Sequence, residues 1–487
     1  MVEEAFRALL HKVETQPCEL QTLEIKAAHR GCPERLYDTF SAFANQNEGG
    51  ILLFGLDEKQ HFARVGVYDP ADLQRKLMEV GEEMHPVIRP ILSVYTEEGL
   101  HFVAAEIPPI DLSERPCFYR ARGRIAGAFV RVGEGDKPMS EYEVYRYEAY
   151  RKQIKDDLRP VEGALPIVLD EARVEQYRLA RTRDRPNLAE LPREQLDELI
   201  YLRREGQLTL TALLLFGIYP QAYFPQLAIV ASHLPSVEPG GIGEGGTRLV
   251  DSVRIEGRLD EMLAGALAFV KRNIRTAIRI NERTGQREDC PEYPLDAVRE
   301  ALLNALAHRD YSRYTENQPI QVRLYPDRLE IRNPGGLYGR LCIEQLGKAQ
   351  PDTRNPELVL TMEILGLTEN RYSGIPRICR AMLQAGHPEP EFSDNRGEFV
   401  VCLRSRLMRT QEMETLKATT QSNLTLQERL LDFCTTPRSR QEIADFLGIK
   451  SISYAITRHI TPLVRCGALH LRYPDRPKSS KQRYFHT

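Results

Sequence analysis

Apolar residues change their spacing repeatedly along this chain, and that pattern constrains the fold more than any other feature. GGILLFGLD, HFVAAEIP and GAFVRVG are short, rich in strand-forming residues and bounded by Gly or Pro, as strands with buried faces are. Around them, RLYDTFSAFANQN and ADLQRKLMEVGEEM place apolar residues three and four apart, the period of a helix with one buried side. Interleaved strands and helices predict an α/β domain over residues 1–150, opened by an amphipathic helix at MVEEAFRALLHKVE. A charged helix, MSEYEVYRYEAYRKQIKDDL, is expected to lead out of it.

A chain of 487 residues exceeds what one core holds, so several domains are expected. Residues 151–290 read as a connecting α/β region. Helices are predicted at ARVEQYRLARTRDRPNL and PREQLDELIYLRREGQLT, and strands at TALLLFGI and QLAIVASHL. Its PGGIGEGG lacks the Lys-Ser/Thr of a P-loop and reads as a loop. Residues 291–405 should give a helix, YPLDAVREALLNALAHRDY, with a Pro near its start. A hairpin with the turn YPDR should follow, ending in a glycine corner. Residues 406–424 are polar and read as a linker. Residues 425–487 should form three helices, LTLQERLLDFC, SRQEIADFLGI and SISYAITRHITPLVRCGAL, then two strands, HLRY and QRYFHT, around a basic loop. Ser439 and Glu442 have capping-box spacing. The fold class expected is α+β multidomain, with a winged helix-turn-helix at the end.

The net charge is −3, which argues against a uniformly basic coat. From Lys450 onward, however, Lys450, Arg458, Arg465, Arg472, Arg476, Lys478, Lys481 and Arg483 face Asp475 alone, which suggests a local polyanion contact. The nine Cys form no CxxC pair, which fits a reduced cytoplasmic setting without structural zinc. No apolar run is long enough for a membrane span, and the first residues lack signal-peptide order, so no membrane partner is expected.

On the helix 294–310, Glu300 and Asn304 stand four apart and share a face, while Val298, Leu302, Leu303 and Leu306 cover the core side. An amide oxygen can coordinate Mg²⁺ and a carboxylate can orient water, so this pair beside glycines suits a magnesium–phosphate site. REALLNALAHRDYS, DRLEIRNPGGL, TRNPELVLTM and YSGIPRICRAM, in that order, resemble the GHKL-type ATP-binding domain that ends the RecG-related transcriptional regulators. The resemblance spans about 250–405. It implies ATP with Mg²⁺, with Glu300 at the general-base position and Asn304 at the metal-ligating position. It puts Asn333, Gly335 and Gly336 at the adenine corner, and Ser373 and Gly374 in the second glycine motif. Domains of this type usually carry Asp where Asn333 stands, and a richer second glycine motif than Tyr-Ser-Gly-Ile. His308-Arg309-Asp310 lacks the other kinase motifs and reads as a helix end and support.

Near the start, Glu19 and Glu24 precede Lys26 in CELQTLEIK, followed by SAFANQNEGG and ILLFGLDEKQ. This pattern resembles the Schlafen/AlbA-type nucleic-acid-binding domain over about 15–135. In the ribonuclease members of that family three carboxylates gather a divalent metal. The matching positions here are Glu19, Glu24 and Asp57, which would take Mg²⁺ or Mn²⁺, with Lys26 holding a phosphate or the transition-state charge. The bland alternative makes the glutamates surface residues and Asp57 a turn residue. Asn45 and Asn47 read as turn residues before Gly49-Gly50.

In the C-terminal domain, Ser451, Ser453, Tyr454 and Arg458 would lie on the leading face of helix three, and Arg476, Lys478 and Lys481 on the wing. Pro462 should kink or shorten that helix. These features lead to an ATP-binding, DNA-binding transcriptional regulator, with a dimer as the expected assembly on paired half-sites. Two alternatives stay open. One is a Schlafen-type metal-dependent endoribonuclease cutting RNA or tRNA, in a role such as anti-phage defence. The other is a scaffold with a degenerate nucleotide pocket.

Overall fold

A computed structural model describes residues 2–15, 21–133, 135–280, 285–348, 352–368, 374–395, 397–406, 430, 431, 433–447, 456, 460–465, 469–473 and 482–486. The chain forms two compact units, Met1–Arg406 and Leu407–Thr487. The proposed linker at 406–424, beyond Arg406, lies outside the described residues.

The larger unit contains two main sheets. The first has four strands in the order Leu23–Lys26, Gly50–Phe54, Leu100–Ile107, Ile91–Glu97. The first pair is parallel and the others are antiparallel. Gly50–Phe54 is apolar throughout, and Leu100–Ile107 is apolar apart from His101 and Glu106, because both faces of the sheet are covered. Leu53, Phe102 and Ala104 pack under Phe6, Leu10 and Val13 of the opening helix, Glu3–Thr15. On the other face Leu52, Phe54, Val103 and Ala105 meet Phe40 and Phe43 of Tyr37–Ala44 and Leu73 and Leu77 of Pro70–Glu83. Asp69 starts that last helix by accepting hydrogen bonds from the amides of Ala71 and Asp72. The charged helix, Glu141–Lys152, begins on a Ser140–Glu143 capping box.

The second sheet has six strands in the order Asp251–Ile255, Ile229–His233, Ile320–Leu324, Arg328–Pro334, Glu398–Arg404, Glu391–Asp394. Only Ile229–His233 and Ile320–Leu324 pair in parallel. The predicted hairpin closes as expected at Tyr325–Arg328, where the Tyr325 amide donates to the Arg328 carbonyl at 2.8 Å. Leu329 and Ile331 alternate onto the helical side, where Leu259–Asn273, Leu295–His308 and Gly374–Gln384 share their core.

TALLLFGI, expected as a strand, is a helix, Leu210–Phe216. All seven of its residues are buried, so no polar alternation betrays the period. Thr209 starts it by accepting from the Ala212 amide at 3.1 Å. PREQLDELIYLRREGQLT keeps helix only over Arg193–Leu199, then turns into a short hairpin, Arg203–Arg204 with Gln207–Leu208. Asn45 is a buried cross-link rather than a turn residue. It donates to the carbonyls of Cys117 (2.9 Å) and Phe129 (3.2 Å) and accepts from the Cys117 amide (2.7 Å). Gly49, at φ +71°, makes the turn instead.

In the smaller unit Ser439 caps the helix Arg440–Phe446 through the expected capping box with Glu442. Three strands pair in the order Arg438–Ser439, Arg483–Phe485, His470–Leu471. Leu430, Cys434, Ile443, Ile460, Leu463, Leu469 and Tyr484 form its core. A described helix, Thr461–Arg465, has Pro462 as its second residue. Ser451, Ser453, Tyr454, Arg458, Arg476, Lys478 and Lys481 lie outside the described residues.

Candidate functional site

A cavity of about 300 Å³ opens between the six-stranded sheet and its helices. Glu300 and Asn304 reach it from Leu295–His308, because the rest of that helix spends its apolar stripe on the core. Glu300 is buried, with Arg377 Nη1 3.4 Å from its carboxylate. Gly374 begins the helix Gly374–Gln384 directly over the pair. A Cβ there would sit 2.7 Å from Glu300 Oε1 and 2.9 Å from Asn304 Nδ2. Gly374→Ala is therefore expected to weaken nucleotide binding about tenfold while the melting temperature moves little, since the flexible Glu300 carboxylate can shift aside. Unchanged binding in a calorimetric titration would refute this.

The opposite wall is the end of Arg328–Pro334. Asn333 lines the cavity, is 5% exposed, and its Oδ1 has no hydrogen-bond partner among the described residues. Gly335 has φ +98°, and a Cβ there would lie 2.5 Å from both Asp310 Cβ and Arg354 Nη1. A Cβ on Gly336 would meet the Asp394 carboxylate, with Oδ2 2.8 Å away. Both glycines are thus required by close approach. Ile331, Phe399 and Val401 give this end an apolar lining.

Arg354 also lines the cavity, and its Nη1 stands 2.6 Å from Asp310 Oδ2. The two are close but off the N–H direction, so this is an ion pair rather than an aligned hydrogen bond. Arg354 Nη2 donates to the Gly336 carbonyl at 3.1 Å. Burial opposes ionisation of Asp310, but Arg354, the Ser312 amide and the Tyr142 hydroxyl together hold its carboxyl below its ordinary value. His308 opens onto the cavity although protein packs around it. Its side chain is exposed to that space, and crowding by the surrounding protein and then the Arg354 charge lower its imidazole below the ordinary value. The support role expected of His308-Arg309-Asp310 matches Arg309, which is buried and donates to the Thr315 carbonyl at 3.0 Å. Ser373 lies outside the described residues.

A second polar cluster sits on the N-terminal sheet. Glu24 is 6% exposed. It accepts from Arg131 Nη1 at 2.5 Å and from Lys26 Nζ. Arg131, 2% exposed, also reaches Asp136 Oδ1 at 3.2 Å, and Thr39 donates to Asp136 Oδ2 at 2.6 Å. Desolvation pushes the Glu24 carboxyl up, yet Lys26 and Arg131 overcome it and leave it below its ordinary value. Asp57 accepts from the Lys59 amide (3.0 Å) and from Gln60 Nε2 (2.8 Å), which is the arrangement of a turn residue. Glu19 lies outside the described residues, and among those described no three His, Cys, Asp or Glu side chains cluster as a metal site. With two cations already on Glu24, a divalent ion at this carboxylate would have to displace them.

Comparison with known families accounts for both regions. Residues 19–140 match the family described as "Schlafen, AlbA_2", and residues 317–403 match "Putative ATP-dependent DNA helicase recG C-terminal", a HATPase-type family. The chain carries a Schlafen/AlbA_2 domain and a RecG-related HATPase-type domain. The second match begins after the helix that holds Glu300 and Asn304. One similar solved structure is the DIP2311 protein from Corynebacterium diphtheriae, 22% identical over 93% of this chain and 92% of that chain, with a TM-score of 0.38. Another is the N-terminal domain of a RecG-related protein from Nitrosomonas europaea, titled a putative ATP-dependent DNA helicase. It is 27% identical over 27% of this chain and 90% of that chain, with a TM-score of 0.23. No curated protein matches this chain.

The helix Glu141–Lys152, which follows the Schlafen/AlbA_2 match, bonds to two residues that line the cavity, Leu337 and Asp352, and to Asp310, which pairs with the lining residue Arg354. Tyr142 donates to Asp310 Oδ2 (2.7 Å), Arg146 to the Leu337 carbonyl (2.7 Å) and Tyr150 to Asp352 Oδ2 (3.3 Å). A second cavity of about 300 Å³ lies along the same segment, lined by Arg115, Arg146, Tyr150, Leu337 and Tyr338 among others. Sequence reasoning missed Arg131, Arg354 and Tyr142. Arg131 carried a signal, being an arginine in inward register with Phe129 on a strand. Arg354 stood within TRNPELVLTM, but nothing there marked its partner. No described helix is long and apolar enough to cross a membrane.

Proposed function

We propose that this protein is a nucleotide-responsive nucleic-acid-binding regulator. ATP with Mg²⁺ would occupy the central cavity, and DNA would be read by the C-terminal unit. The observation that carries the reading is the meeting of Glu300, Asn304, Asn333, Gly335, Gly336 and Gly374 around one cavity, with a buried amide oxygen that has no partner among the described residues. Those residues fit a nucleotide. The glycines let the elements around the cavity approach closely, since a Cβ on each would meet a neighbouring side chain, and the start of Gly374–Gln384 is a helix N-terminus, which favours phosphate. When bound, Mg²⁺ would neutralise phosphate charge. In this reading Asn304 presents its amide oxygen to the cation and Glu300 orients a water. The six-stranded sheet with helices on its inner face supports a GHKL-type sandwich. The capping-box helix and three-stranded sheet of the smaller unit support a winged helix, with Ser451, Ser453, Tyr454 and Arg458 toward bases and Arg476, Lys478 and Lys481 toward phosphates. Paired half-sites would make the active species a dimer.

The helix Glu141–Lys152 supplies a route by which an occupied cavity biases the Schlafen/AlbA_2 domain, because Tyr142 and Arg146 hold the residues flanking the glycine corner. Tyr142→Phe is expected to reduce the effect of ATP on nucleic-acid affinity severalfold, read by titrating labelled DNA and RNA with and without ATP. An unchanged ATP effect would sink the route.

The main test is calorimetric titration with Mg²⁺-ATP. Wild type should bind, and Asn304→Ala should lose about a hundredfold or more in affinity. No binding by wild type overturns the nucleotide reading. Incubating the protein with tRNA and single-stranded RNA in Mn²⁺ or Mg²⁺, beside Glu19→Ala/Glu24→Ala, addresses the ribonuclease reading. Cleavage by wild type and none by the double variant would make the protein a Schlafen-type endoribonuclease, with Glu19, Glu24 and Asp57 as its metal ligands and Lys26 on the phosphate. No cleavage supports the regulator.

A further inference from the structure

We infer that the second cavity, along the helix Glu141–Lys152, binds a small phosphate monoester that carries a planar ring. The inference goes beyond the nucleotide reading above and holds whatever occupies the first cavity. The space measures about 300 Å³, the lower end of the range for small-molecule sites. Four of its lining residues, Glu143, Arg146, Tyr147 and Tyr150, come from one face of that helix, being spaced three, four and seven apart.

Two guanidiniums on the wall carry the argument. Arg115 is 6% exposed and lines the cavity. Its Nε donates to the Ile110 carbonyl at 3.3 Å, Nη1 to Asn47 Oδ1 at 2.9 Å and Nη2 to the Gln46 carbonyl at 2.8 Å. Arg146 is half-buried and donates from Nη2 to the Leu337 carbonyl at 2.7 Å. Neither forms an ion pair with a carboxylate among the described residues. Asp111, the acid whose charge reaches Arg115, is exposed and accepts from the Ser113 amide at 2.9 Å. Carbonyl oxygens fix the direction of a guanidinium, but they bring no net charge to set against a buried cation. Each guanidinium also has more N–H groups than these bonds use.

The two acids on the same wall are already served. Glu143 Oε2 accepts from the Ser140 amide (2.8 Å) and hydroxyl (3.0 Å). Asp394 Oδ2 accepts from the Leu337 amide (2.9 Å), and its Oδ1 is buried from solvent beside Gly336. The charge the wall lacks is therefore negative. A phosphate monoester carries about −1.5 to −2 at neutral pH, against one charge on a carboxylate, and its three terminal oxygens can accept from guanidiniums on separate elements. Tyr147, Tyr150 and Tyr338 supply the aromatic part of the wall, with Tyr150 and Tyr338 edge to face at 5.6 Å between centroids. Such rings favour a planar group on the ester.

The test is calorimetric titration of the full chain with phenyl phosphate, ribose 5-phosphate and phenol, for wild type, Arg146→Gln and Gly374→Ala. Wild type should bind phenyl phosphate with a dissociation constant of about 1 mM or tighter, ribose 5-phosphate about fivefold more weakly for want of the ring, and phenol not at all. Glutamine keeps an amide N–H for the Leu337 carbonyl but removes the charge, so Arg146→Gln should weaken phenyl phosphate about tenfold or more. Leu337, Tyr338 and Leu341 line both cavities, and Gly374→Ala separates the two. It alters the helix start at the first cavity and should leave phenyl phosphate affinity within about twofold. No binding of phenyl phosphate, equal affinity for the two esters, or an affinity untouched by Arg146→Gln overturns the inference. So does a loss in Gly374→Ala as large as that in Arg146→Gln, which would put the phosphate in the first cavity. If Arg146→Gln does not fold, by melting curve, Tyr147→Leu decides. It should weaken phenyl phosphate severalfold and spare ribose 5-phosphate, and an unchanged ratio of the two overturns the inference.

Discussion

Arg354→Ala is expected to destabilise the larger unit by about 3–5 kcal/mol and to remove nucleotide binding at the same time. Arg354 is 6% exposed, and it is the cation facing Asp310, which is 2% exposed and also receives the Tyr142 hydroxyl. Truncation would leave the Asp310 carboxylate buried without its countercharge, and it would free the Gly336 carbonyl that Arg354 holds. The glycine corner and the helix Glu141–Lys152 would loosen together. Urea denaturation of wild type, Arg354→Ala, Asp310→Asn and the double variant measures this. The double variant should lose less than the sum of the singles, because neither charge is then left alone. A single variant within about 1 kcal/mol of wild type would refute the argument. The pH dependence has a definite sign. The folded carboxyl of Asp310 lies below its unfolded value, so its contribution is complete above the unfolded pKa near 4 and disappears as pH falls through the folded one. Wild type should therefore lose more stability on acidification below about pH 4 than Asp310→Asn does.

Arg131→Ala should cost a comparable amount, about 3–5 kcal/mol, in the Schlafen/AlbA_2 domain. Arg131 lies between Glu24 and Asp136, and all three side chains are at most 9% exposed. Its Nη2 also donates to the Leu23 carbonyl at 3.3 Å, so the guanidinium ties the strand Phe129–Val132 to Leu23–Lys26. Removing it leaves two largely buried carboxylates, with Lys26 still beside Glu24. Adding Glu24→Gln to Arg131→Ala should restore part of the loss, since one uncompensated charge is then gone. The melting temperatures of the four proteins form the cycle, and strictly additive shifts would show that Arg131 acts by packing alone.

Both residues show where sequence reading succeeds and stops. The helix Leu295–His308, its polar pair Glu300 and Asn304, and the hairpin closing at Tyr325–Arg328 were all legible, because periodicity and turn chemistry are local. In the N-terminal sheet Gly50–Phe54 and Leu100–Ile107 were legible for the same reason, whereas Leu23–Lys26 and Ile91–Glu97 were not read as strands. Leu210–Phe216 was misread because complete burial erases the polar face that separates a helical period from a strand. Asn45 was misread because its partners, the carbonyls of Cys117 and Phe129, arrive from more than seventy positions away.

The sequence by itself determined the residue types that can hold a nucleotide and the local elements that carry them, since spacing of three, four or two residues sets which side chains share a face. Only the tertiary structure decided that these residues converge. Asn333 ends a strand, Glu300 sits mid-helix and Gly374 opens another helix, and packing of those elements on one core brings them around a single cavity. It alone placed Arg354 on Asp310 and Tyr142 beside both, across 44 and 168 positions of chain. Such pairs follow from the burial of opposite charges, and a local pattern of residues does not encode which distant partner a buried charge will meet.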